Sequence, residues 1–141
     1  MNTEAPVKVV TGSRARLAFR FTPETIRLHI PGQVVGSYLL LAHRHPVYIG
    51  RSDTCLRRRL ETHPLLGTAT HVTWEAASSP DRAFLSEAFW YHELQRDHEV
   101  LNLVHPARPA GSDRSCPYCS PGQAERRALQ LAFRPAARAT P

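Results

Sequence analysis

The residues best placed for chemistry lie between Pro46 and His63. Ser52, Asp53 and Thr54 are N-cap types and Pro64 is a stop, so the spacing predicts a helix that ends at His63. Cys55, Arg59 and His63 recur every four residues and therefore share one helix face, beside an apolar stripe of Leu56 and Leu60. The preceding run Val47-Tyr48-Ile49 is of β type, and Gly50 is expected to end it. A strand feeding a helix lined with cations suits an anionic ligand. Arg51, Arg57 and Arg58 beside it are candidate nucleic-acid contacts.

Two further sets of residues have chemical potential. In a predicted helix over residues 81–95, Ala83, Phe84, Trp90, Tyr91 and Leu94 form a broad apolar stripe, and Glu87 falls inside it, with Ser86 and Glu93 toward the solvated side. A carboxylate in a buried stripe costs several kcal/mol unless a cation or strong donor satisfies it, so Glu87 is either a functional group or rotated to the stripe's edge. Cys116-Pro117-Tyr118-Cys119 has the two-residue gap of a zinc knuckle. It supplies half a tetrahedral site. The other half would come from His92, His98 or His105, less readily from Cys55; the alternative is a pair of free surface thiols.

The elements that position these groups follow from periodicity. Residues 34–42 read as a strand, His43 to Pro46 as a turn, and residues 47–50 as the antiparallel return. With a period of two, Tyr38 and Tyr48 can point to the same side of that hairpin, as catalytic groups or as ordinary half-buried β aromatics. A third strand is expected over residues 68–76, where Val72 and Trp74 alternate with polar neighbours. Upstream, Leu17, Phe19 and Phe21 alternate, as do Ile26, Leu28 and Ile30, with Thr22-Pro23-Glu24 between them. This reads as an N-terminal β-hairpin after a loose leader, residues 1–13. Gln123 to Phe133 is a basic amphipathic segment, and the tail from Ala136 is expected to be disordered.

Gly36-Ser37-Tyr38, Tyr48-Ile49-Gly50, Arg59 on the following helix and Glu87 on a later one stand in the order of the GIY-YIG endonuclease signature. The chain resembles that family over residues 34–102, with serine where the first tripeptide usually has isoleucine or valine. The resemblance implies an α+β (α/β) fold in which a small three-stranded sheet is flanked by helices. Residues 1–33 are then an N-terminal extension, 34–104 the nuclease core, and 105–141 a C-terminal extension. It also implies that both tyrosines, Arg59 and Glu87 meet on one concave face. Glu87 would hold Mg²⁺ or Mn²⁺, Tyr48 would act as general base with Tyr38 assisting, and Arg59 would bind the phosphate. A tyrosine of ordinary pKa, about 10, is protonated at neutral pH, so a base role requires neighbouring cations to lower it. His63 would contact the scissile phosphate or relay a proton, or else cap its helix. Asn102 fits the family's later asparagine, or a turn.

Composition is compatible with this. The formal net charge is +6, and Lys8 is the single lysine against many arginines, a balance that favours DNA or another polyanion. No run approaches the ~18 apolar residues of a membrane span, and Met1 to Val10 has no secretory pattern. The odd count of 3 cysteines argues against a disulfide framework, so a cytoplasmic protein is expected. The expected activity is metal-dependent DNA endonuclease, with specificity supplied by a partner protein or a homodimer. The alternative is a non-cleaving nucleic-acid-binding module of the same fold, stabilised by zinc.

Overall fold

The computed structural model describes residues 7–11, 14–97, 99–102 and 104–119. The chain forms strands β1 (Val7–Thr11) and β2 (Arg14–Arg20), helix α1 (Pro23–His29), strands β3 (Gly36–Ala42) and β4 (His45–Ser52), helix α2 (Leu56–Glu61), strand β5 (His71–Ala76) and helix α3 (Pro80–Asp97). The strands lie in the order β1-β2-β5-β3-β4, every neighbouring pair antiparallel. The fold is α+β, as expected. The anticipated three-stranded core is β5-β3-β4, and β2 extends it to four, with β1 beyond.

Strand alternation divides the core between two helical layers. Tyr38 and Leu40 of β3 and Val72 of β5 pack with Ile26 and Ile30 of the α1 region and Leu56 and Leu60 of α2. Leu39 and Ile49 point to the other face and pack with Trp90, Tyr91 and Leu94 of α3. At Gly36 both β5 and α2 close in: a β-carbon would overlap the Glu75 carbonyl oxygen and approach Leu56 Cδ1 to 2.7 Å.

Three sequence expectations are corrected. Residues 25–30 form helix rather than strand: Thr22 Oγ1 accepts from Thr25 N–H at 3.2 Å, Pro23 starts the helix and Glu24 sits in its first turn. Ile26 and Ile30 are also one helical turn apart and buried, whereas Leu28 is 74% exposed, so the 3.6 period prevails over the period of two. The N-terminal hairpin is instead β1-β2, and part of the expected leader is strand. Finally, β4 runs through Gly50 to Ser52; Ser52 Oγ accepts from the Thr54 and Cys55 N–H groups, Cys55 rather than Ser52, Asp53 or Thr54 is the N-cap position of α2, and the helix ends at Glu61 rather than His63. The amphipathic segment 123–133 and the tail lie outside the described residues.

Candidate functional site

Register places the two tyrosines together. Tyr38 lies opposite Gly50 and Leu40 opposite Tyr48, which aligns both rings on the α2 face of the hairpin. Their centroids are 6.3 Å apart with planes 20° from parallel. The register shifts between Leu40 and Leu41, leaving Val47 as an extra residue in β4, a bulge on the edge strand beside the second tyrosine. Gly50 is required by this arrangement, because a β-carbon there would overlap the Cζ and Oη atoms of Tyr38.

Tyr38, Tyr48, Gly50, Arg51, Asp53, Arg59, Glu87 and Ala107 contribute to one open cavity of about 390 Å³. Arg59, in the last turn of α2, is exposed, and its guanidinium has no hydrogen-bond or ion-pair partner among the described residues. Glu87 is 8% exposed. Its Oε1 accepts from Arg51 Nη1 at 2.7 Å, while Oε2 has no hydrogen-bond partner among the described residues. Burial raises the Glu87 pKa above the usual carboxylate range, and the Arg51 contact only partly offsets this.

The tyrosines do not have the lowered pKa that a resting general base needs. Burial raises Tyr38, helped by Tyr48 and Glu87, and Arg59 does not compensate. Burial and then Glu87 raise Tyr48 in the same way. Both hydroxyls are therefore protonated at neutral pH and present themselves as hydrogen-bond donors.

Other expected contact residues are committed elsewhere. Arg51 is held by Glu87 and by Asp53, through Nε to Oδ1 at 2.7 Å and Nη2 to Oδ2 at 3.3 Å, and its guanidinium lies 5.3 Å from the Phe84 ring centroid. That charge is already neutralised, so Arg51 is a poor phosphate contact. Arg57 donates to the carbonyls of Ile30 and Arg27, satisfying the C-terminus of α1. Asn102 accepts from Ile49 N–H at 3.0 Å and donates to Ile49 O at 2.7 Å, which closes the open edge of β4 instead of reaching outward. Arg58 remains exposed on α2.

His63 is 7% exposed and lies edge-on to both tyrosines, 5.6 Å from the Tyr38 centroid and 5.1 Å from that of Tyr48. Its Nδ1 accepts from Leu65 N–H at 3.0 Å, and burial, with Arg59 nearby, lowers its pKa. It is thus a neutral ring that buttresses the tyrosines, outside the set lining the cavity. Three features escaped the sequence reading. Asp53, read as a cap, joins the Arg51–Glu87 pair; an acid two residues from an arginine was the available signal. Ser86 faces the sheet, its Oγ 2.8 Å from Ser37 Oγ and 2.8 Å from Glu75 Oε1, so the serine of Gly-Ser-Tyr has a polar partner beneath α3. Ala107, far along the chain, forms part of the cavity wall.

A second centre lies beyond the other end of Glu87's helix turn. His92, His105, Cys116 and Cys119 present ligand atoms that all fall within 4.8 Å of one another, a set that could hold a metal such as zinc. The half-site expected from Cys116 and Cys119 is completed by His92 and His105; His98 lies outside the described residues and Cys55 is not part of the cluster. Burial would raise the Cys116 thiol, but His105, His92 and the backbone N–H groups of Tyr118 and Cys119 bring it down to about 5. Among the described residues no helix is long and apolar enough to cross a membrane. No family model matches the chain, and neither does any curated protein or solved structure.

Proposed function

We propose that the protein is a divalent-metal-dependent endonuclease of GIY-YIG type that hydrolyses DNA phosphodiester bonds in the Tyr38/Tyr48/Glu87 cavity. The observation that carries this reading is convergence: two strand tyrosines, a helical arginine and a buried helical carboxylate, spread over fifty residues of chain, line a single cavity. Arg59 offers an unengaged guanidinium fork at its rim, suited to a phosphate gaining charge. The donor hydroxyls of Tyr38 and Tyr48 orient water or a phosphate oxygen, and His63 keeps their rings in place. Glu87, with one oxygen unengaged and Asp53 near by, matches the few-carboxylate, water-rich environment that Mg²⁺ or Mn²⁺ prefers. Such an ion would supply charge neutralisation at the phosphate and offset the Glu87 charge that raises both tyrosines. DNA is the proposed partner, with a second copy or another protein supplying specificity.

The Arg51–Glu87 ion pair favours a second reading, a nucleic-acid-binding module that does not cut, since the guanidinium already occupies one side of the carboxylate. Nicking of supercoiled plasmid with Mg²⁺, compared among wild type, Glu87→Ala and Arg59→Ala, separates the two. Loss of nicking in both variants supports the nuclease. DNA binding by wild type with no cleavage in Mg²⁺ or Mn²⁺ supports the binding module.

A further inference from the structure

The four side chains of the second centre come from two parts of the chain with no shared strand. His92 belongs to α3, whereas His105, Cys116 and Cys119 lie on the irregular segment that follows it. That segment packs through Val100 against the α3 cluster, through buried Pro106 and Pro109, and through His105 edge-on to Tyr91. Tyr118 meets Phe89 with centroids 5.5 Å apart, and Arg114 reaches Asp81 at 3.7 Å across a half-exposed pair. None of these contacts requires two thiols and two imidazoles to point at one another.

Their spacing suits a metal ion. A zinc ion with Zn–N of about 2.0–2.1 Å and Zn–S of about 2.3 Å at the centre of a tetrahedron requires about 3.3 Å between two nitrogens and about 3.5 Å between a nitrogen and a sulfur. The observed separations are 3.2 Å for His92 Nε2 to His105 Nε2, 3.3 Å and 3.2 Å from Cys119 Sγ to those nitrogens, and 3.6 Å from Cys116 Sγ to His92 Nε2. His105 Nδ1 lies 2.7 Å from the Pro106 carbonyl, which fixes its proton on that side and turns a lone pair on Nε2 toward the cluster. At 3.2 Å the two Nε2 atoms are close enough for one ring N–H to donate to the other, and equally close enough for both lone pairs to ligate a single cation between them. Two thiolates and Zn²⁺ sum to zero charge, which a partly buried site tolerates.

We propose that His92, His105, Cys116 and Cys119 bind one zinc ion in a closed tetrahedral site, and that this ion staples residues 105–119 to α3 and so builds the Ala107 wall of the tyrosine cavity. The site has no open position, so its role is structural. Ala107 stands two residues from His105, and Glu87 five residues before His92 on the same helix, which makes the staple a direct spacer between cavity wall and carboxylate. The ion also secures the path that brings Leu101 N–H to Val47 O at 2.6 Å and Asn102 to Ile49, closing the sheet edge. The proposal stands whether or not the cavity cuts DNA.

The test uses the full chain purified without chelator or affinity metal. Elemental analysis should return about one zinc per chain, and Co²⁺ exchange should give thiolate charge-transfer and tetrahedral d–d absorption. Cys116→Ser combined with Cys119→Ser should lose both signals, and His92→Cys, which preserves a four-ligand set, should keep them. Stripping zinc with a mercurial and chelator should raise amide exchange across residues 99–119 while β3 and β5 stay protected. A wild type that holds no stoichiometric zinc and gives no tetrahedral Co²⁺ spectrum overturns the proposal. So does a full zinc equivalent in the double cysteine variant, or unchanged exchange in 99–119 after stripping. Because metal content and exchange are read without DNA, failure of the nuclease reading leaves these outcomes distinct.

Discussion

The tyrosine cavity and the Cys/His centre are held by opposite means. Tyr38 is fixed by two strand neighbours, the missing side chain of Gly50, the Tyr48 ring and His63, so no single contact determines where its hydroxyl stands. The segment after α3 has a short hydrogen-bonded stretch along β4 and a few side-chain contacts, and its remaining order converges on four ligand atoms. Extended packing distributes a constraint over many weak contacts. A metal cluster concentrates it in one point, where it can be removed chemically.

Zinc removal probes that contrast most strongly. At free zinc 1,000-fold above Kd, binding to the native state alone adds about 4 kcal/mol, so the unfolding midpoint should rise with zinc concentration in wild type and be flat in the Cys116→Ser/Cys119→Ser variant. Equal zinc dependence in both proteins would show that the two regions do not differ in this way. Next in size, Glu87→Ala and Arg59→Ala should each lower plasmid nicking by about 10²–10³, the loss seen when a group aimed at developing charge is removed. Neither should shift zinc content, because both side chains sit outside the cluster. Nicking that survives both changes would detach the cavity from catalysis.

Gly50→Ala asks how rigid the distributed constraint is. The new β-carbon meets the Tyr38 ring, which is clamped by Tyr48 and His63, and overpacking of this kind costs about 1–3 kcal/mol. Chemical denaturation should show that loss, with zinc binding retained. A neutral substitution would mean that the tyrosine moves freely. Asn102→Ala is gentler. It removes two part-buried hydrogen bonds to the β4 edge, about 1 kcal/mol, and should show as faster exchange of the Ile49 amide.

The parts of this arrangement that sequence revealed are those governed by local period. Alternation in residues 34–50 places the tyrosines on one face, and the apolar stripe around Glu87 marks a burial that the structure bears out. Residues 25–30 failed the same test because Ile26 and Ile30 fit both a strand and a helix, and Thr22-Pro23-Glu24 suits a turn as well as a helix cap. Leu17 failed differently: it alternates correctly, but the short α1 reaches Phe19, stacked on His29 at 4.0 Å, and leaves Leu17 56% exposed. Apart from Asp53, two residues from Arg51, arginine pairing was not legible. The partners of Arg51 and Arg57 include Glu87 and the carbonyls of residues 27 and 30, brought close only by tertiary packing. Likewise the cysteine spacing announced half a metal site, while the choice among histidines depended on where the chain turns after α3.

The smallest expected effect is a pH dependence that belongs to the packed region alone. Burial lowers the His63 pKa in the folded protein, with Arg59 adding to the effect, whereas the unfolded chain has the ordinary value near 6.5. Between those two values the unfolded state binds more protons, so stability is full above about pH 6.5 and falls as pH drops through that window. Glu87 acts with the opposite sign: its raised folded pKa makes the unfavourable burial of its charge fade as the carboxylate protonates. The cysteines and histidines of the metal centre also take up protons on acidification, so the measurement must compare variants at one saturating zinc concentration. Under that condition, denaturation at pH 7.5 and 5.5 should show a smaller acid loss for His63→Gln than for wild type, since the amide can still accept the Leu65 N–H without titrating. An identical acid loss in both proteins would assign the pH sensitivity to the metal centre. The ring between the tyrosines would then be only a spacer.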